Sequence, residues 1–224
     1  MRRVICVGHA ALDRIYAVSS WPAGSGKVAA LRFAEGGGGM AANAAAAIAR
    51  LGGDAVFWGP AGDDATAATI HAQLVADGVD ASGLRRFGGL DSSHSAVIVD
   101  ARGERLVVGL RGSALQAPAD WLPLAGVRTA DAMLADVRWP QGARAALEAA
   151  RAAGIVTVLD GETAPVDVLD QLARAADHVV FSQRGLESFA GSGRDEDLLR
   201  ALACGVRLAA VTRPAARAAS SAAR

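Results

Sequence analysis

Several residue types are scarce in this 224-residue chain, and their scarcity excludes classes of function. Its two cysteines, Cys6 and Cys204, lie far apart and give neither a disulfide framework nor a metal-binding spacing. Lysine plus arginine and aspartate plus glutamate both number 23, so no overall positive field attracts nucleic acid. Aromatic residues make up only 4%, too few for a platform that stacks single-stranded bases. We therefore expect no nucleic-acid partner.

Long apolar runs are also missing, although hydrophobic residues make up 52% of the chain. None approaches the roughly 20 residues of a membrane span. The N-terminal MRRVICVGHAALD is too short in its apolar part for a secretory signal and predicts a first strand instead. The four histidines are not at metal-ligand spacings. We expect a cytoplasmic protein with no membrane partner and no histidine metal site.

What the sequence does contain is an alternation of strand and helix patterns with short connections. Apolar runs predict strands at residues 3–8, 54–59, 131–137, 155–160, 177–182 and 206–212. Helical patterns cover residues 41–52, 63–78, 141–153 and 166–174. Such alternation predicts an α/β fold in which a mostly parallel sheet is covered by helices on both faces.

Two segments depart from this rhythm, at residues 14–35 and 93–110, and both are typical of antiparallel hairpins. They predict a small antiparallel sheet that stands over the carboxyl ends of the parallel strands, where ligands bind in open α/β sheets. We expect residues 1–212 to form one such α/β domain. Residues 213–224 have no periodicity and no large apolar side chain, which predicts an unstructured tail.

The stretch AEGGGGMAANAAAAIARLGG (residues 34–53) places four glycines directly before a helix. Glycines let the backbone approach a ligand closely, and the first turn of a helix offers free N–H groups to a polar or anionic group. Asn43 adds an amide that both donates and accepts hydrogen bonds, as sugar hydroxyls require. On spacing alone, a flexible connector between hairpin and helix is an equally good interpretation. The stretch is neither a GxGxxG fingerprint nor a P-loop.

Together with three further motifs, this stretch resembles the ribokinase-like (PfkB) carbohydrate kinases. The matching pieces are VGHAALDRIYAV, GGMAANAAAAIARLG, GPAGDDATAATIHAQLVADGVD and DARGERLVVGLRGSA, in family order, within residues 3–212. The resemblance implies transfer of the γ-phosphate of ATP to a sugar hydroxyl, with Mg²⁺ as a further cofactor. It also implies that the sugar binds between the α/β core and a small β-lid, and that two chains dimerise through the lid.

The resemblance implies sugar-binding roles for individual residues. Asp13 would accept hydrogen bonds from sugar hydroxyls, and Gly38, Gly39 and Asn43 would contact the sugar from the opposite side. Lys27 is either a solvated lysine or a residue that reaches an anionic group of the substrate.

The stretches LADVRWPQGA (residues 134–143) and TVLDGE (residues 157–162) most resemble the branch that phosphorylates sulfofructose. In that branch Arg138 would pair with the sulfonate, whereas the alternative is that it pairs with Asp136 or Asp160. Gly109 departs from the branch, which has Asn at that position. Ketohexoses and their anionic derivatives both stay open as substrates.

The family's C-terminal motif, Asp-Thr-x-Gly-Ala-Gly-Asp, does not occur in this sequence. Its last Asp is the base that the resemblance would supply, so no catalytic residue is predicted here. The family's Asn-x-x-Glu would fall at residues 182–185, which read Ser-Gln-Arg-Gly. We therefore expect a C-terminally truncated kinase without activity, or alternatively a non-catalytic sugar-binding or dimerisation module.

Overall fold

The computed structural model of the protein describes residues 1–213 except residues 22, 23 and 25. Most of the predicted tail, from residue 214 onward, therefore lies outside the described residues. The strands are β1 (Arg3–Val7), β2 (Ala11–Ala17), β3 (Arg32–Gly38), β4 (Asp54–Gly62), β5 (Asp80–Phe87), β6 (Ser93–Val99), β7 (Arg105–Leu110), β8 (Ala132–Asp136), β9 (Val156–Gly161), β10 (His178–Ser182) and β11 (Leu208–Thr212). The α-helices are α1 (Met40–Arg50), α2 (Ala65–Ala76), α3 (Pro140–Ala152), α4 (Val166–Ala175), α5 (Gln183–Ala190) and α6 (Leu198–Ala203).

Seven strands form the main sheet in the order β11-β10-β9-β8-β1-β4-β5, and every neighbouring pair is parallel. The predicted parallel α/β sheet is thus confirmed. Strand β5 was not predicted. Its solvent-facing positions, which include Asp80, Ser82 and Arg85, interrupt the apolar run that would have indicated a strand.

Helices cover both faces of this sheet, as predicted. Alternate residues of β1 enter two different cores, because successive side chains of a strand point to opposite faces. Ile5 and Val7 belong to the core that α3, α4, α5 and α6 cover, while Cys6 belongs to the core beneath α1 and α2. His9, Arg138 and Glu162 follow the carboxyl ends of β1, β8 and β9 and share a cavity with residues of a second sheet.

That second sheet, the lid, has four strands in the order β3-β2-β6-β7. Its two hairpins are antiparallel, but the central pair, β2 and β6, is parallel. The expected antiparallel lid is therefore a mixed sheet. The reason is that β2 follows β1 and β6 follows β5, so both strands leave the same edge of the main sheet in the same direction.

The first hairpin is longer than predicted and includes the glycine run. Strand β3 pairs with β2 as far as Gly38, which lies opposite Ala11. Three of the four glycines, Gly36, Gly37 and Gly38, are thus part of a strand and not of a connector. Gly39 then caps α1 with φ of 91°, and a Cβ at this position would collide with the carbonyl oxygen of His9. Only glycine allows the chain to turn directly from the lid strand into the helix here.

A carboxylate ties the second hairpin to the core. Asp64 caps α2 by accepting a hydrogen bond from the backbone N–H of Ala67 (2.7 Å). The same carboxylate accepts hydrogen bonds from the backbone N–H (2.9 Å) and the hydroxyl (2.8 Å) of Ser92, directly before β6. The lid strand therefore starts at a fixed point of the core. In the part of the chain that the structure describes, no helix has the length and apolarity to cross a membrane.

Candidate functional site

A cavity of about 470 Å³ lies between the lid and the carboxyl ends of the main-sheet strands. It is lined by residues of both sheets and of the first turn of α1. They are His9, Ala11, Asp13, Gly39, Met40, His94, Ser95, Val107, Gly109, Leu110, Arg111, Arg138 and Glu162. Three of the six predicted site residues, Asp13, Gly39 and Arg138, thus share one cavity.

Asp13 lies within lid strand β2. One of its carboxylate oxygens accepts a hydrogen bond from the hydroxyl of Ser95 on the neighbouring strand (2.6 Å). Its other oxygen lies 2.6 Å from the point that a Cβ at position 38 would occupy. Gly38 therefore leaves the space in which the Asp13 carboxylate sits.

Asn43 and Lys27 lie outside this cavity. Asn43, together with Gly38, borders a smaller cavity of about 190 Å³ between α1, α2 and β3. The side-chain oxygen of Gln73, which is buried there without a hydrogen-bond partner, is 3.6 Å from the Cβ position of Gly37. Lys27 is exposed in the connection between β2 and β3 and lines neither cavity.

Asp136, which the sequence reading did not select as a site residue, holds the floor of the main cavity together. The residue is fully buried at the end of β8. Its carboxylate accepts hydrogen bonds from the backbone N–H groups of His9 (2.8 Å), Ala41 (3.0 Å) and Arg138 (2.8 Å). One side chain thus fixes the end of β1, the start of α1 and the end of β8. The sequence could have indicated Asp136 by its position at the end of a predicted parallel strand.

The side chain of Arg138 donates a hydrogen bond from Nη1 to the carbonyl oxygen of Thr163 (2.7 Å). It forms no ion pair with Asp136 or Asp160, and its contact with the Asp136 carboxylate is made by the backbone N–H. The predicted alternative, a pairing of its side chain with either aspartate, is therefore not seen. Burial, and then the charge of Arg111, lower the pKa of Arg138.

The imidazole of His9 forms part of the cavity wall beside Asp13. Its Nε2 atom is buried and has no hydrogen-bond partner in the structure. Burial lowers the pKa of His9 more strongly than the nearby Asp136 carboxylate raises it. His9 therefore favours its neutral form and adds a polar but uncharged group to the wall.

A further cavity of about 480 Å³ lies at the carboxyl ends of β9, β10 and β11, where Asp160, Ser182 and Thr212 line it. Glu162 and Met40 line this cavity and the main one, so the two meet at these residues. Burial opposes the ionisation of Glu162, but hydrogen bonds from Thr163 and Ser182 prevail and lower its pKa. For Asp160, burial and the carboxylates of Asp136 and Glu162 raise the pKa to about 6.

The described residues contain no group of three His, Cys, Asp or Glu side chains that could hold a metal ion. Because Mg²⁺ is usually bound through one or two carboxylates together with substrate phosphates, its presence in this site stays a prediction. At position 185, where the family's Glu would fall, a Cβ would collide with the carbonyl oxygen of Gly161. The packing of α5 against the end of β9 leaves no space for any side chain there.

Comparisons with known proteins show that the chain is similar to carbohydrate kinases. The sequence profile of the pfkB family carbohydrate kinases matches residues 1–221. The ATP-dependent ribose-1-phosphate kinase of Halopiger xanaduensis is 31% identical over 160 residues, which are 71% of this chain and 54% of that protein.

Among solved structures, a candidate ribokinase from Agrobacterium tumefaciens has a TM-score of 0.84 and 40% identity over 90% of this chain and 66% of its own. An Arabidopsis thaliana ribokinase, complexed with ribose and ATP, has a TM-score of 0.76 and 23% identity over 94% of this chain and 71% of its own, which shows a common fold. This chain thus spans 54% of the Halopiger protein and 66% of the Agrobacterium protein. It belongs to the PfkB family of carbohydrate kinases.

Proposed function

We propose that this chain carries the acceptor-sugar site of an ATP-dependent kinase, in which the γ-phosphate of ATP passes to a hydroxyl of a sugar bound between lid and core. The observation that supports this most is that Asp13 and Ser95 of the lid face Gly39 and His9 of the core across one cavity. A carboxylate, a hydroxyl and a neutral imidazole are groups that hydrogen-bond sugar hydroxyls. The cavity volume of about 470 Å³ is within the range of small-molecule sites.

Each predicted sugar contact has its own proposed role. Asp13 accepts hydrogen bonds from two hydroxyls, and Gly39 lets the sugar approach the first turn of α1. Gly38 acts indirectly, by leaving room for the Asp13 carboxylate. Asn43 and Lys27 stay proposed contacts, and both side chains would have to reorient, because neither lines the cavity.

The phosphoryl donor would approach from the cavity at the ends of β9, β10 and β11, since that cavity meets the sugar cavity at Met40 and Glu162. Phosphoryl transfer needs a base for the hydroxyl proton and fixed donors around the moving phosphoryl group. The family's motif for both is absent from the 224-residue sequence. We therefore propose that this chain binds sugar without turnover, which is also what a non-catalytic sugar-binding module would do.

We propose to extend the set of candidate substrates beyond the expected ketohexoses and sulfofructose. The relatives above are named for ribose and ribose 1-phosphate, which places a pentose and its phosphate among the first ligands to test. Sulfofructose is kept as one anionic ligand in the same set.

Calorimetric titration of the purified chain with ribose, ribose 1-phosphate, fructose and sulfofructose tests the sugar site. We expect saturable binding of at least one ligand, and a loss of about tenfold or more in affinity for Asp13→Asn, because that change removes a charged hydrogen-bond acceptor. Arg128→Gln, an exposed change that does not line the cavity, is the control. An absence of binding by all four ligands would overturn the proposed sugar site. Turnover detected in a coupled ADP assay would overturn the proposal that the chain lacks a catalytic base.

For the expected homodimer, we propose the lid as the interface. Its apolar side chains are unusually exposed, with Val108 at 61%, Phe33 at 52% and Leu106 at 48%. Exposed apolar patches on a sheet are typical of association surfaces. In sedimentation velocity we expect a dimer for the native chain and a monomer for Val108→Glu, while Leu199→Glu on α6 leaves the dimer intact. A native monomer at micromolar concentration would refute the lid dimer.

A further inference from the structure

The two edges of the main sheet differ in how they are protected against pairing with a further strand. An edge strand carries a row of unpaired backbone N–H and C=O groups, which proteins commonly block with charged side chains or a β-bulge. Strand β5 forms one edge and has both features. Its exposed positions include Asp80, Arg85 and Arg86, and its register with β4 shifts between Asp80 and Gly83. The β5 edge therefore resists the addition of a strand.

Strand β11, at the opposite edge, has neither feature. Its residues, Leu208–Thr212, read Leu-Ala-Ala-Val-Thr, without a charge or a proline, and their register with β10 is regular throughout. Within the described residues, β11 pairs with β10 alone. The arginine before the strand, Arg207, is held by Asp177 (3.5 Å). The arginine after it, Arg213, is held by Asp195 (2.6 Å). In this part of the chain, one side of β11 is thus open to a partner strand.

Exposed leucines accompany this open edge on both faces of the sheet. Helix α6 packs on β11, and its Leu199 and Leu202, one turn apart, are exposed. Val211 of β11 packs into the core on the same face as α6. Because successive side chains of a strand point to opposite faces, Leu208 lies on the other face, where it is exposed as well. Apolar side chains beside an unprotected edge are typical of an association surface.

A second copy of the chain fits this edge well, because the edge is compatible with itself. Antiparallel pairing of β11 with the same strand of a second copy follows a two-fold axis, the commonest symmetry of protein dimers. Ala210 is the middle residue of β11, so an axis at Ala210 places Leu208 of each copy beside Thr212 of the other. The small and uncharged side chains at the centre of the strand raise neither a steric nor an electrostatic barrier. They also carry no charge that would select a different partner.

We propose that two copies of this chain associate through their β11 strands, which pair antiparallel and continue the main sheet from one copy into the other. This contact is separate from the proposed lid interface. A strand of five residues spans only about 17 Å, so the contact is small and weaker than the lid interface. Edge pairing therefore joins lid dimers into larger assemblies only at high protein concentration. The inference rests on the fold of the main sheet and not on the proposed sugar site.

The test uses Val108→Glu, which disrupts the proposed lid interface, in sedimentation equilibrium. For a small interface, we expect monomers at about 10 µM and mostly dimers at about 500 µM. Ala210→Lys and Ala210→Glu, each combined with Val108→Glu, place like charges opposite each other at the axis and should weaken the dimer about tenfold or more. An equal mixture of these two variants should restore dimerisation, because opposite charges then meet across the axis. Ser82→Lys, an exposed change on the β5 edge, is the matched control and should leave the dimer unchanged.

Amide hydrogen exchange of residues 208–212 separates strand pairing from contact between side chains alone. The exchange should slow about tenfold or more as Val108→Glu dimerises, because backbone N–H groups of β11 become hydrogen-bonded. A Val108→Glu chain that stays monomeric at about 500 µM would overturn the inference. So would a dimer in which exchange of β11 is unchanged, or a mixture of the two Ala210 variants that does not associate. None of these results bears on sugar binding.

Discussion

The Asp13 carboxylate and the Cβ position of Gly38 lie 2.6 Å apart, closer than any real Cβ contact. The two residues belong to paired lid strands, and the hydroxyl of Ser95 holds the carboxylate from the other side. Asp13 pairs with Gly36 of the neighbouring strand, and Gly38 lies two residues further along that strand. The orientation of the Asp13 side chain thus depends on Gly38. Glycine in this strand has a steric function that concerns the site and not the flexibility of the backbone.

Gly38→Ala should therefore weaken sugar binding about 10- to 100-fold, because the Asp13 carboxylate must leave its place and lose its charged hydrogen bonds. The free energy of unfolding should change little, since position 38 has an ordinary strand conformation. Calorimetric titration and urea unfolding measure the two effects. Gly36→Ala is the matched control, because its Cβ would meet only Ile15 at 3.8 Å. Equal affinities of the two variants would contradict the steric role of Gly38.

Asp136→Asn should destabilise the fold by about 2–4 kcal/mol, because an amide offers one acceptor oxygen to three backbone N–H donors and turns its own N–H groups toward the rest. The loss should appear as a lower free energy of unfolding in urea. Asp167→Asn, an exposed change on the first turn of α4, serves as the control. A variant as stable as the native chain would show that the three hydrogen bonds do not hold the floor of the cavity.

The sequence predicted those parts of the fold in which the hydrophobic pattern of a segment matches its burial in the structure. The alternation of apolar strands and amphipathic helices predicted the parallel sheet, and turn residues predicted the two hairpins. The parallel pairing of β2 with β6 could not be predicted from either hairpin alone, because it depends on where both leave the main sheet. Strand β5 was missed because half of its residues face solvent.

The site was less predictable than the fold. Asp13, Gly39 and Arg138 lie in recognisable motifs and meet in one cavity. Asn43 lies in the same glycine-rich motif, but the helix turns it toward a different cavity. Arg111 gave no signal in the sequence, since a single arginine after a strand is usually a solvated residue. Its proximity to Arg138 arises only when the lid folds over the core.

Asp160→Asn should change the pH dependence of stability. The pKa of Asp160 is raised to about 6 in the folded chain, so the folded state binds the proton more tightly than the unfolded state. The stability from this group is fully present below about pH 4 and is lost as pH rises through about 6. The variant should match the native chain near pH 4 and exceed it by on the order of 2 kcal/mol above pH 7, after discounting for partial exposure. A stability difference that is constant with pH would contradict the raised pKa.

Gly185→Glu should fail to restore the family's missing acidic residue and should instead destabilise the domain. The Cβ of any side chain at this position collides with the carbonyl oxygen of Gly161, a backbone atom that cannot move without displacing the end of β9. Overpacking of this kind costs about 1–3 kcal/mol and sometimes more. Gly185→Ala should therefore show most of the same loss of stability in urea unfolding, which separates the steric effect from that of the charge. Arg184→Ala, an exposed change one residue earlier on α5, should leave stability unchanged. If Gly185→Glu were as stable as the native chain, the helix could shift to accept a carboxylate, and the absence of Glu here would need a cause other than packing.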